Sequence, residues 1–382
     1  MNLRLRFFYR LLRPLVVVFL KIKFGYTYKT AKSLPSNYVV LSNHLTDFDP
    51  LFVGASFKRQ MYFVASEHIA RWGWIYKLLK FIFEPIIRYK GAAGSAAVIE
   101  MMRRVKKGGS VCMFAEGVRS WDGATGEILP STAAVIKRGD CALVTYKLSG
   151  AYFVSPMWSG ASTRRGPVSG EVVNVYTKEK LAKMSVTEIA DAINKDLYEN
   201  AYEKQLANPK PYRGKRIAEK LENLMFICPH CGEMDSITTS DNKITCTACR
   251  KEMTLNEYGF LEGSKFKTLK EISDWQKKNV LKDVENRKSY VLRDAKLSTV
   301  DTRHEETQLA KGKAEISMDT LSIAHITIDM NDISFMAMHG QKAIVFTAGR
   351  TYYELIAAQD VNALKFFLFY NARKLVKEQA EE

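Results

Sequence analysis

The sequence predicts an α/β domain with a mostly parallel sheet and amphipathic helices at its start. A four-cysteine ribbon follows, and then a mainly antiparallel β domain closed by a helix. Three observations lead there. Across residues 36–206, short apolar runs alternate with helical patterns, as strand–helix units do. Residues 225–262 hold two C-x-x-C pairs. From residue 288 on, strand-like runs follow one another up to a last amphipathic stretch.

Residues 1–35 come first. "RLRFFYRLLRPLVVVFLKIKF" mixes Arg and Lys with Phe, Leu and Val. Its longest uncharged run, Pro14 to Leu20, falls far short of the ~20 residues that span a bilayer. No small-residue cleavage site follows, so it makes a poor signal peptide. Basic residues around an apolar body suit a helix lying in a membrane interface. "RWGWIYKLLKFIFEPIIRYK" (71–90) has the same chemistry. Both also fit ordinary amphipathic helices whose Lys/Arg stems snorkel. The formal net charge of the 382 residues is +16, and the first hundred residues hold 15 Lys/Arg against 5 Asp/Glu. That asymmetry favours an anionic partner, either nucleic acid or an acidic lipid surface, and the interleaved aromatics favour the membrane surface; six cysteines without a disulfide framework suggest its cytoplasmic face. The expected association is peripheral or monotopic.

Within 36–206 the expected strands are "YVVLSN", "QMYFVAS", "GSVCMFAEG", "CALVTYKLSG" and "GEVVNVYT". Helices are expected over "PLFVGASF", "WGWIYKLLKFIF", "STAAVIKRG" and one long stretch, "SVTEIADAINKDLYENAYEKQL". Sites in such sheets lie beyond the carboxyl ends of strands. His44 and Glu116 each follow a predicted strand. Asp49-Pro50 reads as N-cap and first residue of a helix. In "FAEGVRS" (114–120) a strand meets a Glu-Gly turn and then Arg119, whose fork suits a phosphate.

Taken together, these two stretches resemble the PlsC-type glycerolipid acyltransferases, the 1-acylglycerol-3-phosphate acyltransferase family. Asn43-His44 with Asp49 is similar to the first family motif, and Phe114 to Ser120 to the later one. "PIIRYKG" looks like the remnant of an intermediate motif and would give Arg88 a role at the acceptor phosphate. Ile82, Ala115, Val118 and Thr145 stand where the family usually has glycine, proline, threonine and proline.

The resemblance implies transfer of a fatty acyl group from an acyl-CoA or acyl carrier protein thioester to a lysophospholipid hydroxyl, as an EC 2.3.1 O-acyltransferase of phospholipid biosynthesis. His44 would be the general base and Asp49 its partner, with no acyl-enzyme. Glu116, Gly117, Arg119 and Arg88 would shape the acceptor site, and Asn43 would position the loop. Asp47 is the less apt partner for His44 and reads as a loop residue that caps a backbone N–H. No metal is implied for the transfer itself.

Residues 207–224, with "NPKPYRGKR", read as a linker. Cys228, Cys231, Cys246 and Cys249 form C-x2-C–x14-C-x2-C, close to the spacing of structural four-thiolate zinc sites. Cys112 and Cys141 stand alone in apolar runs and read as buried thiols. A ribbon also permits a rival of another class, a non-catalytic basic adaptor binding nucleic acid or protein. Its few Lys/Arg and lack of interleaved aromatics argue against nucleic acid. Residues 263–287 are a polar connecting segment. The β-rich end, 288–382, resembles a PH- or GRAM-like module, with "DVNALKFFLFYNARKL" as its helix.

Overall fold

The computed structural model describes residues 3–31, 33–88, 95–160, 162–301, 305–358 and 362–381. Tyr89 to Gly91 of the stretch around Arg88, and Asp360-Val361 at the head of the expected C-terminal helix, lie outside the described residues.

The chain divides into two compact units, residues 1–156 with 163–214, and residues 157–162 with 215–382. The first unit runs α1 (Leu3–Phe24), β1 (Thr27–Lys29), β2 (Tyr38–Ser42), α2 (Asp49–Ser56), β3 (Tyr62–Ser66), α3 (Trp74–Phe83), β4 (Ile86–Arg88), α4 (Ser95–Lys106) and β5 (Val111–Phe114). It continues with α5 (Pro130–Arg138), β6 (Ala142–Ser149), α6 (Ala151–Val154), β7 (Ser169–Tyr176), α7 (Lys178–Lys183), α8 (Val186–Leu197) and α9 (Ala201–Ala207). Its sheet has the order β1-β7-β6-β2-β5-β3-β4. All its pairs are parallel except β6 with β7.

Central β2 is buried at all five positions, as its unbroken apolar run requires. Val39, Leu41 and Leu143 of the sheet share a core cluster with Ile136 of α5 and Ile189 and Ile193 of α8. Register then places the site. Ser42 of β2 pairs with Phe114 of β5, so His44 and Glu116, each two residues farther on, reach the same end of the sheet.

One expected helix is two. Between α8 and α9 the backbone N–H of Glu199 donates to Thr125 Oγ1 (2.8 Å), and Thr125 N donates back to Glu199 O (2.8 Å). Asn200 then caps α9 by accepting from Tyr202 N. A tertiary contact competes with helix continuity there and wins. Residues 207–214 are not bare connection, because Tyr212 is buried and Arg213 exchanges two backbone hydrogen bonds with Arg165.

The second unit holds β8 (Ile237–Ser240), β9 (Lys243–Cys246), β10 (Glu252–Leu255) and β11 (Leu261–Glu262) as one antiparallel ribbon. Then comes α10 (Leu269–Glu285), opened by a Thr268/Glu271 capping box. A second antiparallel sheet follows: β12 (Tyr290–Val300), β13 (Glu306–Ile316), β14 (Thr320–Ile323), β15 (Ile326–Asp329), β16 (Ile333–His339), β17 (Ala343–Ala348) and β18 (Thr351–Ala357). Its order is β15-β14-β13-β12-β18-β17-β16, and α11 (Leu364–Glu381) closes it, as the run of strand-like segments predicts. The ribbon does not stand apart from this sheet domain. Buried Gln276 of α10 accepts from Phe226 N and Ile227 N (2.9 and 3.0 Å) and donates to Leu224 O (2.9 Å). Lys365 of α11 pairs with Asp235.

Candidate functional site

His44 sits in the loop between β2 and α2, and its Nδ1 lies 2.8 Å from Asp49 Oδ2. The same oxygen accepts from Leu45 N (2.5 Å) and Thr46 N (2.9 Å), while Oδ1 accepts from Thr46 Oγ1 (3.0 Å). Asp49 is therefore not the N-cap expected from Asp-Pro. It is the first helical residue, Phe48 precedes it, and no side chain caps α2. Its carboxylate turns back to tie the loop instead of capping the helix. The aspartate is fully buried and the histidine side chain 20% exposed.

The imidazole stacks on Phe114, with centroids 4.3 Å apart and planes at 19°. The loop is held from other strands as well. Buried Asn43 donates to Leu148 O (2.9 Å) and accepts from Leu148 N (2.8 Å), so its amide clamps the end of β2 to β6. Those two bonds hold the start of the His44 loop against β6. Ser120 N donates to His44 O (2.8 Å).

Glu116 joins the two motif stretches. Its Oε1 accepts from His44 N and its Oε2 from Gly126 N, both at 2.6 Å. Burial pushes its carboxyl up to about 8, against the pull of those two N–H donors. The turn needs glycine next. Gly117 has φ +71°, and a Cβ built there would lie 2.8 Å from Arg88 Nη1. The Arg88 guanidinium thus rests against the Glu116-Gly117 turn, delivered by β4.

Arg119 Nη1 lies 2.8 Å from Asp47 Oδ2, with the arginine 17% and the aspartate 76% exposed. This corrects the reading of Asp47 as a backbone cap: its carboxylate is the counter-ion of Arg119. Thr145 is corrected too. It lies inside β6, fully buried, and donates to Asp196 Oδ2 (2.7 Å), away from the strand end.

The fold thus gathers Asn43, His44, Asp49, Glu116, Gly117, Arg119 and Arg88 at one end of the sheet. Sequence reasoning missed Thr46, which ties both carboxylate oxygens of Asp49, and the ring of Phe114 under His44. The i to i+3 Thr–Asp spacing was the available signal for Thr46. Chemically, such a dyad can accept a proton at Nε2. Oδ2 already receives two N–H donors and a carboxylate only accepts, so Nδ1 must carry the imidazole proton and Nε2 the lone pair.

The four expected cysteines also meet. Their sulfurs all lie within 4.8 Å of one another, with Cys228–Cys249 at 3.9 Å and Cys231–Cys246 at 3.8 Å. Both knuckles have one build. Cys228 N donates to Glu233 O and Gly232 N to Cys228 O; Cys246 N donates to Lys251 O and Arg250 N to Cys246 O. Sulfurs about 2.3 Å from a central tetrahedral ion would stand about 3.8 Å apart. This donor set suits a metal ion. Cys112 and Cys141 are buried free thiols, as expected.

Residues 26–149 match the acyltransferase family model. The matched segment runs from the start of β1 to the end of β6 and contains both motif stretches, but neither the four clustered cysteines nor the second sheet. Among solved structures, that of the 1-acyl-sn-glycerophosphate (LPA) acyltransferase PlsC from Thermotoga maritima is similar at 16% identity and a TM-score of 0.42, over 52% of this chain and 78% of that one. No curated protein matches the chain.

Proposed function

We propose that the chain transfers a fatty acyl group from an acyl-CoA or acyl carrier protein thioester to the free hydroxyl of a lysophosphatidate-like lysophospholipid. The observation that carries the reading is the His44–Asp49 pair, 2.8 Å apart, inside the acyltransferase segment. His44 Nε2 takes the proton from the acceptor hydroxyl as its oxygen attacks the thioester carbonyl. Buried Asp49 holds the tautomer and stabilises the imidazolium. As the tetrahedral intermediate collapses, the C–S bond breaks and the imidazolium returns the proton to the departing thiolate. The products are the diacyl lipid and the free thiol. Among the described residues the His44 ring hydrogen-bonds Asp49 and no serine hydroxyl or cysteine thiol, which favours direct transfer over an acyl-enzyme.

Arg119 and Arg88 would receive the acceptor phosphate, Arg119 exchanging Asp47 for it. The Glu116-Gly117 turn shapes the floor between them. Four cysteine sulfurs within 4.8 Å of one another suit zinc, held by Cys228, Cys231, Cys246 and Cys249 as a structural ion. Such an ion supplies rigidity to knuckles that have no core of their own.

Membrane association would use the first helices. Among the described residues no helix is long and apolar enough to cross a membrane. Yet Leu3, Phe7, Leu11, Leu15, Val18 and Ile22 form an exposed row along α1, and Trp74, Ile75, Leu78 and Phe81 of α3 are exposed too. Phe8 meets Phe81 edge to face at 5.6 Å, so the two helices share one apolar surface. A surface of this kind with Lys/Arg beside it lies on a bilayer.

The test is product formation. Purified protein is incubated with labelled acyl-CoA, or acyl carrier protein thioester, and a panel of lysolipids in mixed micelles, and products are identified by mass spectrometry. A diacyl product that disappears with His44→Ala supports the reading. Absence of any transfer, with salt-dependent binding to DNA or RNA instead, would favour the adaptor.

A further inference from the structure

A second cluster of cations lies away from His44. Arg6, Tyr9 and Arg10 of α1 and Lys58, Arg59 and Gln60 of the α2–β3 segment line an open recess of about 290 Å³. Four of these six residues are cations and none is a carboxylate. Tyr9 fixes α1 over the recess, its hydroxyl meeting Gly54 O (2.6 Å) and Phe57 O (3.0 Å) at the far end of α2. The recess faces the amino end of β3, while His44 and Glu116 follow the carboxyl ends of β2 and β5. Those strands run parallel to β3 or to its neighbour, so the recess and the dyad lie at opposite ends of the strands.

Two further observations point to a ligand. Gln60 is 5% exposed, and neither its Nε2 nor its Oε1 has a hydrogen-bond partner among the described residues. A buried primary amide without partners is costly unless something enters to satisfy it. Arg59, in contrast, is aimed by donating one amino group to Gly108 O (2.7 Å). The other observation is position. Arg6 and Arg10 are one helical turn apart and flank the exposed row of Leu3, Phe7 and Leu11. Cations bordering an apolar face stand at the level of lipid headgroups.

We infer that this recess binds the phosphate monoester of an anionic lipid in the surface on which α1 lies. The inference rests on the membrane reading of α1, and not on acyl transfer. A monoester brings up to two charges and three terminal oxygens, against one charge for a diester. Four cations and a free amide N–H match the monoester better. Gln60 Oε1 accepts from a hydroxyl or water at its edge.

The test compares vesicles of phosphatidylcholine carrying phosphatidate or phosphatidylglycerol, adjusted to equal surface charge. Wild-type protein is expected to partition onto the phosphatidate vesicles about tenfold more strongly, as additional charge-assisted hydrogen bonds imply. Arg10→Gln with Lys58→Gln should erase that preference while leaving residual binding through the apolar row. Gln60→Leu is the second variant. It should lose much of the preference yet melt at a higher temperature without lipid, because an unpartnered buried amide is gone. Equal binding of both vesicles by wild type, or an unchanged preference in the variants, overturns the inference. If wild type binds no vesicle, the membrane reading of α1 fails, and melting with glycerol phosphate then examines the recess separately. A rise in wild type that is absent in the double variant would assign it to a soluble phosphate and overturn the lipid source. No rise would dismiss the site altogether.

Discussion

Asp49→Asn separates charge from shape. In wild type, Oδ2 of Asp49 sits between Leu45 N, Thr46 N and His44 Nδ1, at 2.5, 2.9 and 2.8 Å. An asparagine must keep its carbonyl oxygen there, because its NH2 would otherwise face two N–H donors. In that orientation the NH2 meets Thr46 Oγ1, which has a free lone pair. The loop and the histidine tautomer are thus retained, and only the negative charge is lost. A hydrogen bond to a charged group is worth ~1.5–3 kcal/mol against ~0.5–1.5 for a neutral one. The difference, about 1–2 kcal/mol, is a lower bound, worth about 5- to 30-fold in rate. The upper bound is the attraction of an imidazolium for a carboxylate at this separation, about 6 kcal/mol at an effective dielectric of 20. We expect a loss of about 10²-fold in kcat, with an unchanged melting temperature. Thiol release from acyl-CoA in the presence of lysophosphatidate measures it. A loss under about threefold in a folded variant would mean that no imidazolium forms in the transition state.

Three further outcomes follow from the geometry. Arg119→Ala should lower acceptor kcat/KM by about tenfold or more while leaving the thioester KM in place, since charge-assisted bonds contribute ~1.5–3 kcal/mol each; a change in the thioester KM alone would move Arg119 to the donor. Glu116 holds its proton in the fold to about 8 but releases it near 4.5 in the unfolded chain. The folded state therefore binds more protons between those values, and stability falls as pH rises through them. Urea midpoints should show that fall in wild type and a flatter profile in Glu116→Gln; equal profiles would remove Glu116 as its source. Metal analysis should find about one zinc per chain. Chelation or Cys228→Ser should expose the amides of the two knuckles to hydrogen exchange, while Phe226 and Ile227, held by Gln276, stay protected. Loss of protection at Phe226 as well would show that the ion, and not Gln276, holds the base of the ribbon.

How legible was all this in the sequence? Several elements announce themselves locally and are present in the fold, although the helix Ser95–Lys106, equally local in pattern, was not anticipated. The apolar run of β2, the amphipathic pattern of α3 and the spacing of the four cysteines each carry their own signal. The motif that sets His44 five residues before Asp49 likewise signalled that the two side chains would meet. What escaped depends on chain segments far apart. The break between α8 and α9 is imposed by Thr125, more than 70 residues earlier. The pairing of Asp47 with Arg119, and of Asn43 with the backbone of Leu148, exists only once β2 lies between β5 and β6. The Asp-Pro cap failed for a different reason. A carboxylate cannot cap α2 and also receive Leu45, Thr46 and His44, and the tighter network prevails.

The ion pair of Arg119 with Asp47 has a consequence for which anions can enter. Arg119 is largely sheltered, whereas Asp47 stands in solvent. Releasing such a carboxylate costs little, since exposed pairs are worth ~0–1 kcal/mol. Anion entry would then be a competition between counter-ions for a guanidinium already held by Asp47. A weakly held monovalent ion such as chloride offers no more than Asp47 does and gains no foothold. On the proposed reading, a doubly charged phosphate offers a second charge and a bidentate grip, and would displace the aspartate. If Arg119 receives the acceptor phosphate as proposed, the pair would act as a threshold that screens out common salt anions and yields to a terminal phosphate.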